Sequence, residues 1–102
     1  MKLIEMNIDK IIALCKKYKV MKLWVFGSIL TSRFNDDSDV DFSVIFDKNK
    51  IPLINYADNF LDFIDELKQL IGRDIDMVCE ESVQNPYFRR ELDSTKKLIY
   101  GR

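Results

Sequence analysis

The stretch Val25-Phe26-Gly27-Ser28-Ile29-Leu30-Thr31-Ser32-Arg33-Phe34-Asn35-Asp36-Asp37-Ser38-Asp39-Val40-Asp41-Phe42 decides how this chain is read. The run Val20 to Phe26 is rich in strand formers and stops at Gly27, so it predicts a strand. From Ser28 to Ser38 the chain is polar and turn-prone, with room for one short helix after Gly27. Asp39 to Phe46 then alternates. Val40, Phe42, Val44 and Phe46 fall on one face, and Asp39, Asp41, Ser43 and Ile45 on the other, which predicts a strand with one apolar side on a core. A strand thus ends in Gly-Ser, and after a ten-residue gap a second strand begins with Asp-x-Asp.

Each part has a chemical use. Glycine lacks Cβ, so a phosphate can approach the backbone at Gly27. Ser28 adds a hydroxyl and an N–H at the start of a helical turn, where an anion is favoured. Asp39 and Asp41 are two apart on a strand, so their carboxylates point the same way. Two such charges about 5 Å apart at an effective dielectric near 20 repel by roughly 3 kcal/mol. A divalent cation relieves that repulsion, and hard oxygen donors beside phosphates suit Mg²⁺. Taken singly the pieces are weak, because Gly-Ser is a common turn pair and Asp-x-Asp more often opens a solvated strand. An EF-hand on Asp37, Asp39 and Asp41 fails, because Phe42 occupies the glycine position and Lys48 the glutamate position. The joint pattern is much rarer than its parts.

Outside this stretch the chain reads as scaffold. Its 102 residues suffice for one core and predict a single domain over 1–102. Ile8, Ile11, Ile12 and Cys15 recur at helical spacing behind Asn7, a candidate cap. Pro52 opens a longer helix whose expected buried stripe is Leu53, Ile54, Ala57, Phe60, Leu61, Ile64, Leu67 and Ile71, ended by Gly72. Asp58, Asp62, Asp65, Glu66 and Lys68 fall off that stripe. A third strand is expected from Asp74 to Cys79, a short helix from Asn85-Pro86 to Leu92, and a weak last strand from Lys97 to Tyr100. The fold class is α+β, a small mixed sheet of three or four strands covered by helices.

Composition narrows the chemistry. With 16 basic and 17 acidic residues the net charge is −1, which argues against a nucleic-acid partner held by excess positive charge. The chain has no histidine, which removes triads, Cys-His dyads, histidine metal ligands and a histidine base. Cys15 and Cys79 are too far apart for a CxxC motif and read as buried reduced thiols. No apolar run approaches the roughly 18 residues of a membrane span, and the expected location is cytoplasmic.

The joint pattern resembles the minimal nucleotidyltransferases, small single-domain members of the DNA polymerase beta superfamily. The matching residues are Val25-Phe26-Gly27-Ser28 and Ser38-Asp39-Val40-Asp41-Phe42. Gly72-Arg73-Asp74-Ile75-Asp76-Met77-Val78 is similar to the family's third strand, and Pro86 to Leu92 with Leu98 to Gly101 to its usual end. The resemblance implies roles. Gly27 and Ser28 would hold a nucleoside triphosphate. Asp39, Asp41 and Asp76 would be the catalytic carboxylates and metal ligands, with Asp41 bridging two Mg²⁺ ions (Mn²⁺ can serve instead) and Asp76 helping to deprotonate the acceptor hydroxyl. Asp74 competes for the third position, which the family's small-aliphatic–Asp–hydrophobic–Val pattern assigns better to Asp76. Many members follow Gly-Ser with a small residue and then Ala-Arg-Gly; here Ile29-Leu30-Thr31-Ser32 stands there, so Arg33 would have to steer phosphate.

The implied reaction is nucleotidyl transfer, which needs no histidine because the protein mainly positions charge. Small members of this family are often antitoxins paired with a HEPN ribonuclease toxin, silencing it by adding AMP from ATP to a tyrosine. The first expectation is therefore a protein adenylyltransferase antitoxin, with ATP as substrate and a HEPN-type toxin as partner. The alternative is a non-catalytic subunit that binds nucleotide or masks the toxin, with Tyr87, Phe88 and Tyr100 as contact residues. A third reading is a metal-binding structural domain without nucleotide. A homodimer is compatible with so small a domain.

Overall fold

The computed structural model describes residues 2–101. The chain runs α1 (Lys2–Met6), α2 (Ile8–Lys17), β1 (Val20–Phe26), β2 (Val40–Phe46), α3 (Tyr56–Ile71), β3 (Ile75–Cys79), α4 (Pro86–Thr95) and β4 (Lys97–Tyr100), with short 3-10 turns between several of them. The strands form one sheet in the order β3-β2-β1-β4. β1 pairs antiparallel with β2 and β4, and β2 pairs parallel with β3. The parallel pair needs a long crossover, and α3 supplies it.

The alternation in β2 behaves as expected on its apolar side. Val40, Phe42, Val44 and Phe46 are all buried, and they meet Leu23 and Val25 of β1. Phe46 holds α3 against the sheet, with ring centroids 5.7 Å from Tyr56, 6.1 Å from Phe60 and 5.8 Å from Phe63. Ile11 and Cys15 of α2 complete the core. Truncating a fully buried side chain such as Phe63 to alanine costs about 3–5 kcal/mol by lost transfer energy and cavity formation. Ser43, on the opposite face of the strand, is also fully buried.

Several details differ from the sequence reading. α1 was not anticipated, because five residues are too few to show a period. Asn7 does not cap α2 with its side chain, whose amide instead donates to the Leu3 carbonyl. Pro52 precedes a 3-10 turn, Leu53–Asn55, and α3 starts only at Tyr56. The buried side of α3 is Phe63, Leu67 and Ile71, flanked by half-buried Tyr56, Phe60, Ile64 and Leu70. Leu53, Ile54, Ala57 and Leu61 are exposed rather than buried. Glu66, expected in solvent, is half-buried and accepts from the Tyr18 hydroxyl and from Lys17. Asp74 lies just outside β3, although its carbonyl accepts from Val40 N at 3.0 Å. α4 begins as predicted, the Asn85 side chain accepting from the N–H groups of Tyr87 and Phe88, but it continues to Thr95. Cys15 is buried with its thiol pKa pushed up to about 12 by desolvation, whereas Cys79 is only half-buried. No described helix is long and apolar enough to cross a membrane.

Candidate active site

Strand register assembles the site. Phe26, the last residue of β1, pairs with Asp41, so Gly27 emerges beside the Asp41 side chain. Gly27 has φ +79°, and a Cβ there would overlap the Asp41 carboxylate and lie 3.2 Å from its Cγ. Both the backbone conformation and the close approach therefore call for glycine. On the other side of β2, Asp41 pairs with Asp76 of β3. Directly opposed residues of a sheet project to the same face, so both carboxylates leave the sheet together, away from the Phe42 side. Asp39 immediately precedes the strand and is exposed, as is Asp76; Asp41 is half-buried.

The electrostatics fit that grouping. The Asp41 carboxyl is pushed above its ordinary range by burial first, then by the negative charges of Asp76 and Asp39. Carboxylates gathered around Asp41 in this way are the hard-oxygen set that suits Mg²⁺. Among the described residues, no three acidic or cysteine side chains close into a ready-made metal cage. The set is open, and fits a cation that arrives with polyphosphate oxygens of its own. Asp74 is not among the charges that raise Asp41; it is exposed and forms an ion pair with Lys68 at 3.6 Å.

Next to the carboxylates lies a cleft of about 560 Å³, whose lining includes Phe26, Gly27, Ser28, Arg33, Phe88 and Lys97. Its floor is the 3-10 turn Gly27–Leu30, anchored by buried Ile29. Thr31, standing where an arginine was expected, has its own task. Its hydroxyl donates to the Ser28 carbonyl at 2.8 Å and accepts from Arg33 N at 3.2 Å. The turn is thereby closed and Arg33 placed at the cleft.

Two features escaped the sequence reading. Arg73 sits just before β3 and clamps the loop that delivers Asp39. Its guanidinium donates to the carbonyls of Asn35 at 2.6 Å and Ser38 at 2.9 Å, and stacks 4.5 Å from the Phe34 ring centroid. The only sequence signal was an arginine beside a predicted strand, and many surface arginines look the same. The second feature is Glu80, 6% exposed, which holds α4 to the sheet through Arg89 and through Lys96 at 2.6 Å. Burial alone would raise its pKa; hydrogen bonds from Lys96 and Arg89, with the Ser43 hydroxyl close by, outweigh that and hold the carboxyl below its ordinary range. Ser43 Oγ and Glu80 Oε2 are both buried and make no hydrogen bond. Lys96 also lies 4.3 Å from the Trp24 ring, and Phe88 packs edge-on against Phe26, so α4 forms one wall of the cleft.

Comparison with known proteins places this geometry. The family model described as "Polymerase beta, Nucleotidyltransferase" matches residues 9–102. A protein of Methanocaldococcus jannaschii named "Putative protein adenylyltransferase MJ1379" is 32% identical over 84 residues, covering 82% of this chain and 79% of the relative. A second relative from that organism, similarly named, is 31% identical over 85 residues, covering 83% and 80% of the two chains. Among solved structures, a chain of a toxin–antitoxin complex with AMP-PNP superimposes with a TM-score of 0.71 at 21% identity, over 94% of this chain and 74% of that one. A complex of tri-AMPylated Shewanella oneidensis HEPN toxin with its MNT antitoxin gives 0.65 at 20% identity, over 96% and 72%. At those identities the structural likeness speaks for the α+β fold. The extent of the family match and the identity to the first relative settle the wider question: this chain belongs to the polymerase beta nucleotidyltransferase family.

Proposed function

We propose that this protein is a magnesium-dependent protein adenylyltransferase, moving AMP from ATP to a hydroxyl of a HEPN-type toxin as its antitoxin. The observation that carries the reading is the contact of Gly27 with the Asp41 carboxylate, itself in register with Asp76. It puts a Cβ-free backbone turn and paired carboxylates at one edge. The names of the relatives and the nucleotide and AMPylated partner of the structural neighbours support the same assignment.

In this reading the backbone of the Gly27–Ser28 turn, held against Asp41, and the Ser28 hydroxyl and N–H would face the phosphate oxygens. Arg33 and Lys97 supply positive charge along the cleft. Asp39, Asp41 and Asp76 would hold Mg²⁺, which when bound offsets their charge and that of the phosphates and stabilises departing pyrophosphate. The acceptor oxygen forms its bond to the α-phosphorus as the bond to the pyrophosphate oxygen breaks. The hydroxyl proton passes to the Asp76 carboxylate.

The test incubates the purified protein with Mg²⁺, α-labelled ATP and the neighbour-encoded toxin. Label is expected on the toxin, and is expected to disappear with Asp39→Ala and Asp41→Ala together. Neutralisation that survives this double change without label would replace transfer by simple masking.

A further inference from the structure

We propose that the outer face of α3, with the turn before it, is a docking surface for a basic amphipathic helix of a partner protein. Leu53 is 91% exposed, Ile54 88% and Leu61 60%, and Ala57 is exposed with them. Single exposed apolar residues need no explanation. These are not scattered: Leu53 and Ile54 lie in the turn that leads into α3, and Ala57 and Leu61 follow on its exposed side, beside the stripe of Phe60, Phe63, Leu67 and Ile71 that covers the sheet. The apolar arc of α3 is thus wider than the sheet can bury, as in helices that face two partners. Leu53 also walls a cleft of about 390 Å³ with Val44, Ile51, Tyr56 and Cys79, so the row runs into a groove able to take a side chain.

Charge selects the occupant. Asp58, Asp62 and Asp65 line the edge of the apolar row, and none is ion-paired with a described basic residue. A second copy packed antiparallel about a two-fold axis would set acidic row against acidic row. A helix with leucine-like side chains flanked by lysine or arginine satisfies both the apolar row and the acids. The surface does not depend on the transfer reaction. α3 covers the face of β2 that carries Phe42 and Val44, whereas Asp41 and Asp76 leave by the other, so a helix seated here leaves the carboxylate edge free.

The experiment uses the full chain and two synthetic helices about 18 residues long. One is built from leucine and lysine; in the other, glutamate replaces lysine. Amide shifts of the ¹⁵N-labelled protein should move at residues 53–68 with the lysine peptide, with roughly tenfold or greater preference over the glutamate peptide. Leu53→Ser with Leu61→Ser should weaken binding by roughly tenfold, and Asp62→Lys with Asp65→Lys should abolish the preference. All four positions are exposed, so the fold tolerates the changes. The proposal is overturned if neither peptide binds, if both bind equally, or if the shifts map to the Asp39–Asp76 edge. It is also overturned if sedimentation shows a dimer that the Leu61→Ser variant dissolves.

Discussion

Gly27→Ala offers a direct measure of the contact on which the site rests, because the protein carries its own control. Gly27 and Gly72 both have positive φ, +79° and +74°, but a Cβ at Gly72 would meet nothing within 4 Å. Alanine at Gly72 should therefore cost only the left-handed backbone, about 1–2 kcal/mol. Alanine at Gly27 should cost the same plus the overlap with Asp41, which must leave its rotamer or push the strand, about 1–3 kcal/mol more. Replacing Asp41 by alanine removes the offending oxygen and leaves its Cβ at 3.4 Å, an ordinary contact. In that background Gly27→Ala should fall back to the Gly72→Ala value. Urea unfolding of the single and double variants, at constant m-value, yields the coupling directly, expected at about 1–3 kcal/mol. The same displacement of Asp41 should lower transfer by roughly 100-fold, the usual consequence of misplacing a reacting group by about 1 Å. Equal costs at the two glycines, or a Gly27 penalty that survives the loss of Asp41, would refute the reasoning.

Three further outcomes follow from the same geometry. Asp41→Asn should stabilise the metal-free protein by about 1 kcal/mol, a fraction of the roughly 3 kcal/mol bare repulsion because Asp39 and Asp76 are solvated; Mg²⁺ with ATP should raise the melting temperature of the wild type and not of the variant. Arg73→Ala should cost about 2 kcal/mol through two lost charge-assisted hydrogen bonds on a partly exposed side chain; it should weaken Mg²⁺-dependent ATP binding, measured by calorimetry, with Arg73→Lys restoring part of both. Glu80→Gln should cost about 2 kcal/mol near neutrality by leaving Lys96 and Arg89 without their carboxylate. Since the folded pKa of Glu80 lies below its unfolded value, its stabilisation is complete above the unfolded pKa of about 4.3 and is lost as pH falls towards the folded value. Unfolding series at neutral and acid pH should therefore show wild type and Glu80→Gln converging as the medium is acidified.

Legibility in the sequence followed the range of the interaction. β1 and β2 were readable because alternation and a stop at Gly27 are local signals. The grouping of Asp41 with Asp76 came only from family resemblance, since no local pattern reveals which strands pair. α3 was readable as a helix, but its buried side was misjudged. The sequence carries apolar residues around a wide arc, and only packing against Phe46 decides that Phe60 and Phe63 face inward while Ile54 and Leu61 do not. Arg73 and Glu80 were invisible because their partners, Asn35 and Ser38 for one and Arg89 and Lys96 for the other, are distant in the chain or outside any pattern.

The register that makes the site is enforced from the opposite face of the sheet. Phe42 is fully buried between Val25 of β1 and Met77 of β3, one position along from the Phe26–Asp41 and Asp41–Asp76 pairs. Sliding β2 by one residue against either neighbour would turn Asp41 into the core and Phe42 into water. Desolvating a carboxylate costs several kcal/mol and exposing phenylalanine forfeits about 1.5–3 kcal/mol more. That penalty exceeds the roughly 3 kcal/mol by which neighbouring carboxylates at a dielectric near 20 push apart. The apolar side of β2 therefore holds its acidic side in an arrangement that the acids alone would abandon, and does so before any cation is bound. Changes to Phe42 should consequently reach the chemistry without touching it, by loosening the register that keeps Gly27, Asp41 and Asp76 in one place.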